Sequence, residues 1–170
     1  TLPASTLRSV YLPECGKSRL PVDTSLVKQY NELAESPENA DFAIVFIDEP
    51  DGGCGYDAAD REKGGNGYVP ISLQYGDYTA RHARPESIAG GDPKEPSINR
   101  SYRGKTVRSS NREELKQVLG TKRLMGDKPV VAVVSTTKPF VPAEFDPSAE
   151  AMLLAFGVQR QAVLDIISGR

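Results

Sequence analysis

Ala43-Ile44-Val45-Phe46-Ile47 is an unbroken apolar run, with Asp41 before it and Asp48-Glu49-Pro50 after it. Polar and apolar residues do not alternate within it, so neither face of the segment is suited to water. A strand buried on both faces belongs to a parallel sheet covered by helices. Pro129-Val130-Val131-Ala132-Val133-Val134 repeats the pattern, and Ala151-Met152-Leu153-Leu154-Ala155-Phe156 is a third such run. Helical spacing fills the intervals. Leu26, Val27, Tyr30, Leu33 and Ala34 predict a helix over about 25–36, capped by Asp23 or Thr24 and stopped by Pro37. Asn111 caps a second, carrying Glu113, Glu114, Leu115, Val118 and Leu119. Residues 159–168 make another, with Val163, Ile166 and Ile167 facing inward and Gly169 as its stop. This order predicts one doubly wound α/β domain, its strands near 42–47, 130–134 and 151–155 adjacent and parallel at the centre.

Two stretches lie outside that rhythm. Over residues 1–23, Leu2-Pro3, Leu12-Pro13 and Leu20-Pro21 keep the backbone extended, which reads as a lead-in strap rather than a core element. From Glu49 to about Ser110 the periodicity fades, leaving a long loop insertion at about 49–105 punctuated by Asp51-Gly52-Gly53 and Gly64-Gly65-Asn66-Gly67. Within it, 70–75 reads as a helical turn or a strand, and 106–108 as a short strand. Such a loop inside a compact domain is usually functional or interfacial. It leaves the C-terminal end of a central strand, where open α/β sheets hold their ligands.

Composition narrows the chemistry. With 21 Lys and Arg against 23 Asp and Glu, the 170-residue chain has a net charge of -2 and no basic excess for a phosphate backbone, so no nucleic-acid partner is expected. No apolar run approaches the ~20 residues of a membrane helix, and no membrane partner is expected. One histidine, His82, excludes a multi-histidine metal site and leaves one base for a nucleophile pair. Cys15 and Cys54 are too few for a zinc ribbon; they are either two free thiols or one disulfide. No metal and no cofactor are expected. The glycine cluster at 64–67 is a structural turn or a phosphate cradle, but it lacks the Lys-Ser/Thr of a Walker loop. Arg81, Arg84, Arg100, Arg103, Lys105 and Arg108 are a solvated face or an anion contact. Asp48, Glu49, Asp51, Asp57, Asp60 and Glu62 crowd a loop that also holds Tyr56, Asn66 and Tyr68. Glycosidases need paired carboxyl groups with aromatic and polar groups around the sugar.

Four segments in order carry a resemblance. Residues Ala40-Asp41-Phe42-Ala43-Ile44-Val45-Phe46-Ile47 resemble the "ADxAIVFxG" strand that opens the C-terminal domain of glycoside hydrolase family 3, which includes β-glucosidases and β-xylosidases. Further on, 128–139 is similar to its "kPVVVVLxxGxP" strand and turn, and 149–157 to its "vdAILxAxxPG" strand. Gln159 with Asp165-Ile166-Ile167-Ser168-Gly169 resembles its "GQEGGxALADVLFG" helix, although Gln159-Arg160-Gln161-Ala162 lacks the glycines of that motif. Together these span about residues 24–170. The segment 64–75 looks like a subgroup of the family associated with Bacteroidetes.

The resemblance implies a six-stranded, mostly parallel α/β sandwich of flavodoxin-like shape, and a two-domain, exo-acting, periplasmic or secreted enzyme. Its partner would be an N-terminal barrel carrying the nucleophilic Asp, absent from this chain, and its substrate a carbohydrate. Thr1 is not an initiator methionine, so the chain is expected to be part of something longer; with the nucleophile on the barrel, the resemblance implies that this chain is inactive alone. The domain commonly supplies the general acid/base Glu from the loop after its first strand. Setting Gly53-Cys54-Gly55-Tyr56-Asp57 on "GEGYD" replaces that Glu with Cys54; setting Glu62-Lys63-Gly64-Gly65-Asn66 on "E-x-K-G-D-N" keeps a carboxylate. Glu62 is therefore the first acid/base candidate and Glu49 the second, with Asp57, Asn66 and Tyr68 as substrate-binding candidates. The other readings are a non-catalytic, sugar-contacting module of such an enzyme and a free-standing small-molecule-binding α/β domain.

Overall fold

The computed structural model describes residues 8–13, 22–88 and 97–170. In chain order these form β1 (Ser9–Tyr11), α1 (Thr24–Val27), β2 (Glu32–Leu33), β3 (Phe42–Asp48), α2 (Ala58–Glu62), β4 (Tyr78–Thr79), β5 (Thr106–Val107), α3 (Glu113–Met125), β6 (Val130–Ser135), β7 (Ala151–Ala155) and α4 (Arg160–Ser168). The chain divides into two compact units. One comprises residues up to Glu49 together with Glu113–Arg170; the other is the insert Pro50–Arg112.

The first unit is built on a five-stranded sheet in the order β2-β1-β3-β6-β7, parallel throughout. That is the doubly wound order that reverses between β1 and β3. The α/β class expected from the sequence is therefore present, with five strands among the described residues where the family resemblance implied six. In β3 the residues from Phe42 to Ile47 are all buried, as a strand covered on both faces must be. Its register sets Ala43 beside Val130 and Asp48 beside Ser135, and Val131 of β6 lies beside Ala151 of β7. Phe42, Ile44 and Phe46 share a buried cluster with Val27 and Tyr30 from the α1 region and Val163 and Leu164 of α4. The alternate residues Ala43, Val45 and Ile47 point to the other face, where α3 packs on β3 and β6 with Val118, Thr121 and Met125 buried.

Four expectations need correction. The third apolar run is adjacent and parallel as expected, but β7 is an edge strand of this sheet, with Leu154 45% exposed. The lead-in expected over 1–23 contains β1, whose Val10 is fully buried between β2 and β3; its Pro-containing flanks at 1–7 and 14–21 lie outside the described residues. The helix expected over 25–36 ends after one turn at Val27. The chain then pairs with β1, Glu32 N–H donating to Arg8 O (3.1 Å) and Ala34 N–H to Val10 O (2.9 Å). Val27 and Tyr30 still bury their apolar surface, so the spacing reported the core face correctly and the element wrongly. Finally, α4 buries Val163 and Leu164 with Ile167 alongside, while Ile166 is 64% exposed. Gly169 stops that helix as expected, in the left-handed region at φ 72°.

Candidate functional site

The insert begins and ends at one clamp. Asp51 N–H donates to Asn111 Oδ1 (2.9 Å), while Ser110 donates its N–H to Asp51 O (3.0 Å) and its hydroxyl to Asp51 Oδ2 (2.6 Å). Above it, 52–57 runs antiparallel to 67–72 through isolated bridges between Gly52 and Ser72 and between Tyr56 and Tyr68. A side chain at Gly52 would run into the Ser72 backbone. The long loop of the sequence is thus a structured unit, with β4 and β5 antiparallel, Tyr78 opposite Val107. Residues 70–75 form neither helix nor strand.

Its centre is a polar knot. Asp57 caps α2, accepting from Ala59 N–H at 2.9 Å, and donates its own N–H to Gly67 O (2.8 Å). Asp60 accepts from Gly67 N–H (2.8 Å) and from Lys105 Nζ (2.5 Å); the Lys105 ammonium and the Gly67 N–H hold its carboxyl below the usual range. Asn66 donates Nδ2 to Asn99 O and Ser101 O (2.9 and 2.8 Å) and accepts at Oδ1 from Tyr68 N–H and Lys105 Nζ (3.0 and 2.6 Å). Both amide hydrogens and both lone-pair directions are thereby engaged. The 64–67 cluster is the turn that closes this knot. Gly67 sits at φ +79°, and a Cβ there would lie 2.5 Å from a Tyr56 ring carbon.

The five candidate residues fall into different surroundings. Asp57, Asn66 and Tyr68 come together in the knot, where the first two are engaged in holding the fold. Glu62 ends α2 exposed, with no hydrogen bond or ion pair among the described residues. Glu49 belongs to the sheet unit and is bound at the C-terminal ends of β3 and β6. Its Oε2 accepts from Thr136 Oγ1 (2.7 Å), Thr137 N–H (2.7 Å) and Lys138 N–H (3.0 Å), and its Oε1 from Thr137 Oγ1 (2.9 Å). Burial alone would raise the Glu49 carboxyl, but the donors from Thr136, Thr137 and Lys138 outweigh it and lower it to about 2. Through these bonds Glu49 ties the end of β3 to the turn that follows β6.

Beside the knot, the insert has an open cavity of about 380 Å³ whose walls include Tyr68, Tyr78, Tyr102, Ile71, Ser87 and Arg100. Tyr56 meets Tyr68 edge to face at 6.1 Å, and the Arg100 guanidinium lies over the Tyr68 ring, 5.5 Å from its centroid. Arg100 N–H donates to Ser87 O (2.7 Å), which fixes these two wall residues side by side. Of these, the sequence singled out Tyr68 as a substrate-binding candidate and Arg100, within the basic group, as a solvated residue or an anion contact. Tyr78, Ser87, Arg100 and Tyr102 meet through pairings such as that of Ile88 with Asn99, which no local spacing announces. The basic residues separate: Lys105 pairs with Asp60, Arg108 with Asp77 (2.7 Å), and Arg100 faces the cavity.

His82 is exposed in a turn. Cys54 is a free, exposed thiol, and Cys15 lies outside the described residues. Among the described residues no group of His, Cys, Asp and Glu is arranged to hold a metal ion, and no helix is long and apolar enough to cross a membrane. Compared with known proteins, the chain matches no family model, no curated protein and no solved structure.

Proposed function

We propose that this chain is the C-terminal α/β domain of a family 3 glycoside hydrolase, periplasmic or secreted. It lends its insert to a sugar site completed by a barrel domain, whose Asp is the nucleophile. Glu62 is the general acid/base. The observation that carries the reading is the insert itself: an ordered polar unit leaving the C-terminal end of a central parallel strand, the end where such sheets bind ligands. It bears a tyrosine-lined cavity and, in Glu62, a carboxylate that no described residue engages.

In a retaining mechanism the nucleophile attacks the anomeric carbon while Glu62 protonates the departing oxygen. Glu62 then takes a proton from the water that hydrolyses the glycosyl-enzyme. Glu49 is the less available of the two, since its carboxylate already accepts from Thr136, Thr137 and Lys138.

The test is leaving-group dependence in the chain that joins this domain to its barrel. Glu62→Ala slows glycosyl-enzyme formation, read as kcat/KM, by roughly 10²–10⁴ for β-glucosides or β-xylosides with poor leaving groups and spares that step for good ones, whose turnover is then limited by hydrolysis of the glycosyl-enzyme. Equal rates for wild type and variant on poor leaving groups remove Glu62 from the reaction. The second reading, a sugar-contacting module without catalytic duty, is favoured by the cavity, whose described walls hold no carboxylate. On that reading Tyr102→Ala raises KM while Glu62→Ala changes nothing.

A further inference from the structure

The polar knot of the insert brings an amine, a carboxamide and a carboxylate into mutual contact. Lys105 Nζ lies 2.5 Å from Asp60 Oδ2 and 2.6 Å from Asn66 Oδ1. The lysine and aspartate side chains are only 24% and 25% exposed, so most of their surface is withdrawn from water. A C=O bond is about 1.23 Å long, which places Nζ at most about 3.8 Å from Asn66 Cγ, close to a near-attack separation. These are the parts of an amide exchange: the amine is a nucleophile, the carboxamide carbon its target, and the carboxylate a proton carrier.

The rest of the knot holds the carboxamide in place. Tyr68 N–H donates to Asn66 Oδ1 (3.0 Å), the atom on which negative charge develops during attack. Asn99 O and Ser101 O hold Nδ2, the nitrogen that would leave (2.9 and 2.8 Å). Asp60 is itself fixed by Gly67 N–H (2.8 Å). A cross-link here falls where packing supports the chain least. Among the described residues, the buried hydrophobic side chains of the insert are those of Tyr75 and Ala80, with Pro50 and Pro70. Units with so small a core are commonly stapled covalently. Asn66 and Lys105 are 39 positions apart, and closing that loop removes entropy from the unfolded chain as a disulfide does.

We propose that Lys105 and Asn66 join in an intramolecular isopeptide bond, with Asp60 as the proton relay. The bond formed is Nζ–Cγ and the bond broken is Cγ–Nδ2. Two protons leave the Lys105 ammonium through Asp60 and depart with the leaving nitrogen as ammonium, so nothing is oxidised and no outside reactant is consumed. The new amide N–H then donates to Asp60 in place of the ammonium. The ion pair is the resting form and favours charge on both partners; the reactive form has exchanged the proton, and a reaction that occurs once per chain needs only a small population of it. The bond forms or fails to form whatever the barrel and Glu62 do.

Intact-mass spectrometry of the 170-residue chain, folded, incubated and then denatured, reads the reaction directly. The wild-type chain falls short of its sequence mass by one ammonia. Trypsin releases residues 64–81 joined to 104–108, because an acylated Lys105 is no longer cut. Lys105→Arg and Asn66→Ala each keep their full mass. Asp60→Asn slows the appearance of the linked peptide by roughly 10²–10⁴, and amide exchange of that variant separates a lost relay from a lost fold. A wild-type chain that stays at full mass overturns the proposal. Loss of ammonia with 64–81 released free of 104–108 marks a succinimide between Asn66 and Gly67 and overturns it equally. A linked peptide that forms as fast in a folded Asp60→Asn chain overturns the role of Asp60.

Discussion

Two glutamates thirteen positions apart (62 − 49) illustrate how surroundings decide what a carboxyl group can do. Glu49 is surrounded by donors, and its proton affinity in the folded state is below its ordinary value of 4.5, at about 2. A carboxyl with a depressed folded-state value stabilises the protein above its unfolded value and loses that contribution as the pH falls toward the folded one. The window for Glu49 is therefore about 4.5 down to about 2, and the contribution is on the order of 3 kcal/mol. Chemical denaturation between pH 6 and 2 will show wild-type stability falling across that window, and Glu49→Gln, already weaker by about 1–3 kcal/mol at pH 6, will fall less. Part of the slope survives in the variant, because Asp60, Asp77 and Glu150 are also lowered, chiefly by Lys105, Arg108 and Lys122. An identical slope in both proteins contradicts the clamp. Gly67 makes a second residue-scale test. At φ +79° with the Tyr56 ring against it, Gly67→Ala costs about 1–3 kcal/mol and speeds amide exchange in the insert; unchanged exchange contradicts the packing of Tyr56 on that turn.

At the scale of elements, the sheet separates strands by how many neighbours they have. Val45 in β3 is fully buried with β1 and β6 on either side, whereas Leu154 in β7 is 45% exposed at the edge. Val45→Ala should cost about 2–3 kcal/mol and Leu154→Ala under about 1 kcal/mol, both read from denaturant midpoints at constant slope; similar costs would mean that β7 is not an edge. Strands β3, β6 and β7 were legible in the sequence because each carries its apolar run within itself. β1 and β2 were not, since three and two residues are too few to show a period and their pairing joins Ser9 to Glu32 and Val10 to Phe42. The same limit hid the partners of Glu49. Sequence spacing ranks carboxylates by local motif, but the donors that bind Glu49 lie 87 to 89 positions away. Asp57 and Asn66 were picked out for their residue types, and those types are also the ones that cap helices and close turns, which is how the insert uses them.

For the whole molecule, the proposed chemistry falls on the insert, while the parallel sheet unit supplies the buried core. A retaining glycosidase needs two carboxyl groups about 5–5.5 Å apart across the anomeric carbon, and the proposed pair is split between this chain and a barrel. The 170-residue chain, purified alone, should thus show no turnover of aryl β-glucosides or β-xylosides above buffer; activity that survives repurification would place both groups here. The most direct test of the central claim is azide rescue of Glu62→Ala in the chain that joins this domain to its barrel. With the acid/base removed, an aryl β-glycoside with a good leaving group still forms the glycosyl-enzyme, and azide, which needs no general base, attacks it. The account predicts that added azide restores turnover and yields a β-glycosyl azide, the anomer of a retaining reaction. A Glu62→Ala protein that turns over like wild type and forms no glycosyl azide would contradict it.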